Sequence, residues 1–208
     1  MTFEKAMVIL FTKVAQTVIA ERFTHTFFDN DGNRVRKVFA YLFSVFIAIF
    51  VNLFFYKPIF NFLSIFLGLS AIALSYNGTI KRKCIFVFYI LAVSCLIDLV
   101  VSAFLIKPFG YDGYSAFVSI FALLLLHAAQ LITERFFGND LGIELNNRYW
   151  LFIIASLLVC IITSIVIFMD KTVSSFSLSL VCGAFLLVNI IISYLMDDLV
   201  KSSQKALE

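Results

Sequence analysis

Asp98 is the first residue of this sequence that calls for a chemical explanation, because it stands in the otherwise greasy run "LAVSCLIDLVVSAF", residues 91 to 104. A carboxylate at the middle of a membrane helix costs about 2.5 to 3.5 kcal/mol on insertion scales, so it calls for a partner. Lys13, in "FTKVAQT", is the candidate. Counting about 1.5 Å per residue from the ends of the two runs places both groups in the same outer half of a bilayer. A Lys13 to Asp98 pair tying the first and fourth apolar runs is expected, either as a structural pin or as part of a switch. His127, in "LLLLHAAQ", is read first as a hydrogen-bonded packing residue and second as a functional one. Asn52, Asn61, Gln130 and Asn189 are further polar groups inside apolar runs.

Catalytic chemistry has few places to start. A nucleophile needs a base within hydrogen-bond reach, and the chain has two imidazoles, His25 and His127. Cys160 is the best thiol for His127, but no local motif joins them. Cys84, Cys95, Cys160 and Cys182 all fall in apolar runs with neither a C-x-x-C pair nor the His spacing of a metal site, so no metal and no cofactor is expected. Palmitoylation of Cys84, beside a basic cluster, is the alternative to packing. The segment "DNDGN", residues 29 to 33, lacks the later ligands of a calcium loop and reads as a turn.

The elements that must hold these groups follow from composition. With 62% apolar and 14% charged residues in 208, the chain lies outside the range of soluble domains. It reads as an all-α, polytopic membrane helical bundle. Seven apolar runs are marked at about 5–24, 38–56, 59–76, 84–106, 114–133, 150–169 and 176–196, each near the ~20 residues needed to cross ~30 Å of hydrocarbon. Lys13, Gln16 and Thr17 interrupt the first run, which would either cross or lie in the interface, giving six or seven transmembrane helices. Residues 1–196 form one membrane domain and 197–208 begin a cytoplasmic helix.

Charge sets the topology. Eleven of the sixteen Lys and Arg residues fall on one side of the runs, among them the cluster Lys81, Arg82 and Lys83; four fall on the other, and Lys13 lies within a run. The positive-inside rule makes the first side cytoplasmic, together with the carboxy terminus. The three-cation turn is the strongest topological pin, set against anionic headgroups. Nothing in the charge pattern points to nucleic acid.

Outer loops are tight and inner ones longer and charged, so an outside ligand must meet loop tips and helix ends. Tyr56 and Lys57 in the first outer turn, Phe109, Tyr111, Asp112 and Tyr114 in the second, and Asp170 with Lys171 in the third are the accessible groups. The second turn, with Gly110 and Gly113, is the best candidate for a contact hot spot, although interface tyrosines also serve as belt anchors. Ser64 with Gly68, and Ser179 with Gly183, provide small-x-x-x-small pairs for close helix approach. After the seventh run, "IISYLMDDLVKSSQKALE" continues without a breaker, as a helix leaving the membrane would.

This order of features resembles the membrane sensor module of GHKL-type histidine kinases, the branch that includes Agr-type quorum-sensing receptors of Gram-positive bacteria. The local similarity is confined to residues 53 to 104, with Pro58, Tyr76, Gly78, Lys81 to Lys83 and Asp98 at matching positions. The resemblance implies a plasma-membrane receptor, homodimeric, that meets an extracellular peptide at its outer loops and signals through its last helix to a kinase domain and a response regulator. Two departures stand out: no His follows His127, and the Asn- and Gly-rich boxes that bind ATP are missing, so the chain as given is not itself an enzyme. It would be the sensor portion of a longer protein or a stand-alone sensor. A small transporter, with Asp98 and His127 lining a path, is the alternative, and an intramembrane cysteine peptidase the third reading.

Overall fold

The computed structural model of the protein describes residues 3–28, 33–55, 58–111 and 115–137, together with residues 157, 158, 161 and 183. All regular structure among these residues is helical. The elements are α1 (Phe3–Phe27), α2 (Arg34–Phe54), α3 (Pro58–Ser75), α4 (Ile80–Val101), a π-helical turn over Ser102–Ile106, the short α5 (Lys107–Phe109) and α6 (Ala116–Phe137). Apart from the four positions named, the apolar runs at 150–169 and 176–196 and the helix expected over 197–208 lie outside the described residues. Leu157 and Ile161 are helical and buried in the same core as α1 to α6.

Local chemistry explains where the helices begin and end. Asn33 caps α2, its side chain accepting from Val35 N at 3.0 Å. Thr79 does the same for α4 through Arg82 N at 3.4 Å, and Ser115 accepts from Val118 N at 3.3 Å at the start of α6. Each side-chain oxygen satisfies one of the amide groups that a first helical turn leaves without a partner. Gly78, at φ 147, makes the turn between α3 and α4, and Gly110, at φ 67, ends α5 in the left-handed conformation. Pro108 has no N–H and its ring would crowd the carbonyl four residues earlier. The widened turn just before it accommodates both problems.

Three helices are long and apolar enough to cross a membrane: Arg34–Phe54, Ile80–Ile106 and Ala116–Arg135; Ile59–Ser75 is a shorter apolar helix. The expected runs at 38–56, 59–76, 84–106 and 114–133 coincide with α2, α3, α4 with its π turn, and α6. The helix α1 has 25 residues but also carries Glu4, Lys5, Lys13, Glu21 and Arg22, and it is not among the three.

Helices α2 and α3 form the most extensive pair, an antiparallel hairpin. Their approach depends on Gly68: a Cβ added there would clash with the Ser44 hydroxyl and sit 3.3 Å from the Ser44 Cα. Gly68 of the Ser64 and Gly68 pair therefore acts within the fold, against α2. The first helix packs along α6, α2 and α4, so it is an integral member of the bundle. Its Lys13 meets Asn61 near the start of α3, while its Phe27 meets Phe86 near the start of α4. The two ends of the bundle are named below by their residues: the basic end, near Arg34, Lys81 and Arg135, and the proline end, near Pro58 and Pro108.

The outer faces carry bare aromatic rings. Phe39, Phe43, Phe46, Phe50 and Phe54 recur along α2 at a three-four spacing, and all five are exposed. Such a continuous apolar stripe would be a liability in water and is what a lipid-facing surface requires.

Candidate functional site

A cavity of about 100 Å³ lies among α1, α2, α3, α4 and α6. Its polar lining comes from Lys13, Gln16, Thr17, Ser44, Asn61, Ser64, Ser94 and Asp98. The apolar lining consists of small and branched side chains, including Ala20, Ala48, Ile65, Ile97 and Ala122, with Phe23 and Leu126.

Asn61 is the hub of the hydrogen bonds at this cavity. Its Oδ1 accepts from Asn52 Nδ2 at 2.9 Å and from Lys13 Nζ at 3.4 Å, so one amide oxygen joins α1, α2 and α3. Asn52 also donates to Ala48 O at 2.8 Å, which fixes its rotamer, and Ser64 Oγ donates to Asn61 O at 2.7 Å. Lys13 makes a second bond to Gln16 Oε1 at 3.2 Å, one helical turn along α1. Two of the three ammonium protons thus go to neutral acceptors.

Asp98 lines the same cavity and lies within electrostatic range of Lys13. Among the described residues, however, no hydrogen bond or direct ion pair joins the two. The expected tie between the first and fourth runs is therefore a shared cavity with opposite charges on its walls. Lys13 is buried, and Asp98 keeps accessible surface as a residue although protein atoms crowd round its carboxyl group.

A second polar cluster lies toward the basic end. The hydroxyl oxygens of Tyr76 and Thr24 are 3.0 Å apart, those of Tyr41 and Tyr76 are 3.0 Å apart, and Thr24 lies 3.3 Å from Tyr41. Thr24 Oγ1 also reaches Glu21 O at 2.6 Å. Phe28 stacks on Tyr76 at 5.4 Å between centroids, and Lys37 places its ammonium 4.2 Å from the same ring. Phe27, Phe28 and Phe86 close the space with edge-to-face contacts of 5.6 and 5.2 Å. Tyr89 joins Thr133 across α4 and α6 at 2.8 Å.

The other candidate residues fall as follows. His127 is half-buried on α6 and does not line the cavity. Lys81, Arg82 and Lys83 occupy the first turn of α4, with Lys81 exposed and the other two half-buried. Cations at a helix amino terminus oppose its dipole. At the second turn, Phe109, Tyr111 and Phe117 are exposed and form a ring ladder with centroid separations of 6.2 and 5.5 Å. Tyr56, Lys57, Asp112 and Tyr114, and Asp170 with Lys171, lie outside the described residues, as do Cys160 and Cys182. Cys84 and Cys95 are half-buried. No group of His, Cys, Asp and Glu suited to a metal ion occurs among the described residues.

In the sequence Asn52 and Asn61 stand out less than Asp98, and nothing there marks Thr24, Tyr41 or the burial of Lys37. Lys37 counts in sequence as one more cation of the basic side; only the packing of α2 against α3 brings it onto Tyr76.

These features define a helical membrane protein with a small polar cavity lined by five helices. No family model matches the chain, no characterised protein matches it, and no solved structure matches it.

Proposed function

We propose that this chain is the input module of a membrane signalling receptor: it binds an extracellular ligand at the proline end and passes a change of helix packing toward the basic end. In this reading α1 crosses the bilayer as the first span, the basic end is cytoplasmic, and the last helix of the chain hands the signal to a histidine kinase domain acting as a dimer, with a response regulator downstream. The ligand is a secreted peptide, approached through the Phe109, Tyr111 and Phe117 ladder.

The observation that carries the reading is the contrast between the open cavity and the packed cluster beneath it. Five helices meet at the cavity, so an occupant or a nearby ligand would bias all five together. Below it, Phe27, Phe28, Tyr76, Phe86 and Tyr89 fill the bundle at the basic end. Aromatic packing between the cavity and the basic end favours a receptor over a transporter, whose site must open to both faces. A membrane peptidase is disfavoured because His127 is away from the cavity.

The test uses the full chain in lipid nanodiscs with a fluorophore on Ser94→Cys. The peptide fraction of spent medium from the source organism is expected to change the emission, and protease treatment of that fraction is expected to abolish the change. No change with the fraction, combined with solute uptake into proteoliposomes of the same protein, would overturn the receptor reading in favour of transport.

A further inference from the structure

The two charges on the cavity wall are opposite, close enough to interact, and yet not in contact. In a bundle interior, where the effective dielectric is far below that of water, such charges attract strongly and gain by closing together unless something between them supplies equal solvation. Lys13 keeps one ammonium proton uncommitted, and the Asp98 carboxylate accepts no hydrogen bond among the described residues. At about 30 Å³ per water, the cavity has room for about three waters or one solute of a few non-hydrogen atoms.

We propose that this cavity binds a small zwitterion of the amino-acid type, its carboxylate on Lys13 and its ammonium on Asp98. The polar lining is matched to the two poles. The Lys13 end offers the ammonium proton with the amide group of Gln16, both suited to a carboxylate. The Asp98 end offers the carboxylate with Ser94 one helical turn away on α4, both able to accept from an ammonium group. Ala20, Ala48, Ile97 and Ala122 supply apolar lining, and the small volume favours a zwitterion with a short side chain. A single-charge solute would satisfy one pole and leave the other charge unmatched, and that mismatch is the basis of selectivity.

The inference does not rest on the signalling reading, since a receptor or a transporter could use such a site. It is tested by thermal unfolding of the full chain in nanodiscs with glycine, L-alanine or L-serine, compared with acetate and methylammonium at equal ionic strength. At least one zwitterion is expected to raise Tm by several degrees at saturation, as selective binding to the folded state requires, while neither single-charge solute does. Asp98→Asn and Lys13→Gln are expected to remove the shift. Ala122→Leu, which fills the cavity without touching a charge, is expected to remove it as well and decides the matter if a charge variant fails to fold. The proposal is overturned if no zwitterion shifts Tm, if acetate or methylammonium matches the effect, or if the shift persists in Ala122→Leu.

Discussion

The cavity around Asn61 and the cluster around Tyr76 are built from the same materials, helix-borne polar groups in an apolar bundle, and they are finished in opposite ways. At Tyr76 every hydroxyl has a partner and aromatic rings fill the remaining space. At Asn61 one amide oxygen takes bonds from Asn52 and Lys13, but the Lys13 and Asp98 charges face room that no side chain fills. The first arrangement fixes one packing of α1 to α4. The second leaves an interaction incomplete, and incompleteness of that kind is what a ligand can use.

If the two regions differ in this way, substitutions should separate them. The largest effect is expected from Phe86→Ala in the closed cluster. Lipid already solvates apolar groups, so the loss is mainly the cavity term: at ~24 cal/mol per Å³ and about 100 Å³ removed, about 2 kcal/mol. A denaturant titration in mixed micelles would show it as a shifted midpoint. Next comes Gly68→Ala, where the new methyl meets Ser44 and forces α2 from α3, at about 1 to 3 kcal/mol for overpacking. Ser44→Gly in the same chain should recover part of the loss, and a double-mutant cycle measures how much.

Smaller still is Tyr76→Phe. It keeps the ring on Phe28 and under Lys37 but removes the hydroxyl shared by Thr24 and Tyr41, at about 0.6 kcal/mol, a typical value for membrane side-chain hydrogen bonds. Asp98→Asn is expected to change stability least, because no direct bond is broken. A loss from Asp98→Asn as large as that from Phe86→Ala would erase the distinction between the two regions.

Much of the helical layout was legible in sequence. Charge-free length alone located α2, α3, α4 and α6, since the bilayer sets a fixed minimum for an apolar run. The boundaries shifted at the basic end, where α2 begins at Arg34 and α4 at Ile80, because Asn33 and Thr79 cap the backbone beyond the apolar stretch. Hydropathy registers the solvent a residue prefers and is blind to where a helix is capped. Asp98 and Lys13 were recognisable as costly groups sharing a depth. That Asn61 would be the link between three helices was not, because it depends on the register of α2 against α3. That register is set by one glycine meeting one serine, a contact that neither helix reveals alone. Thr24 and Tyr41 stayed hidden for the same reason, being ordinary residues until three helices bring their hydroxyls together.

The central proposal is that the cavity lined by Asp98 is reached from the extracellular side, while the basic end is closed to it. It is tested most directly by labelling single-cysteine variants in intact cells with a membrane-impermeant, positively charged thiol reagent. Asp98→Cys should react from outside, whereas Ser75→Cys, buried toward the basic end, should stay protected. Labelling of Asp98→Cys only after the cells are opened, or equal labelling of both positions from outside, would contradict the account.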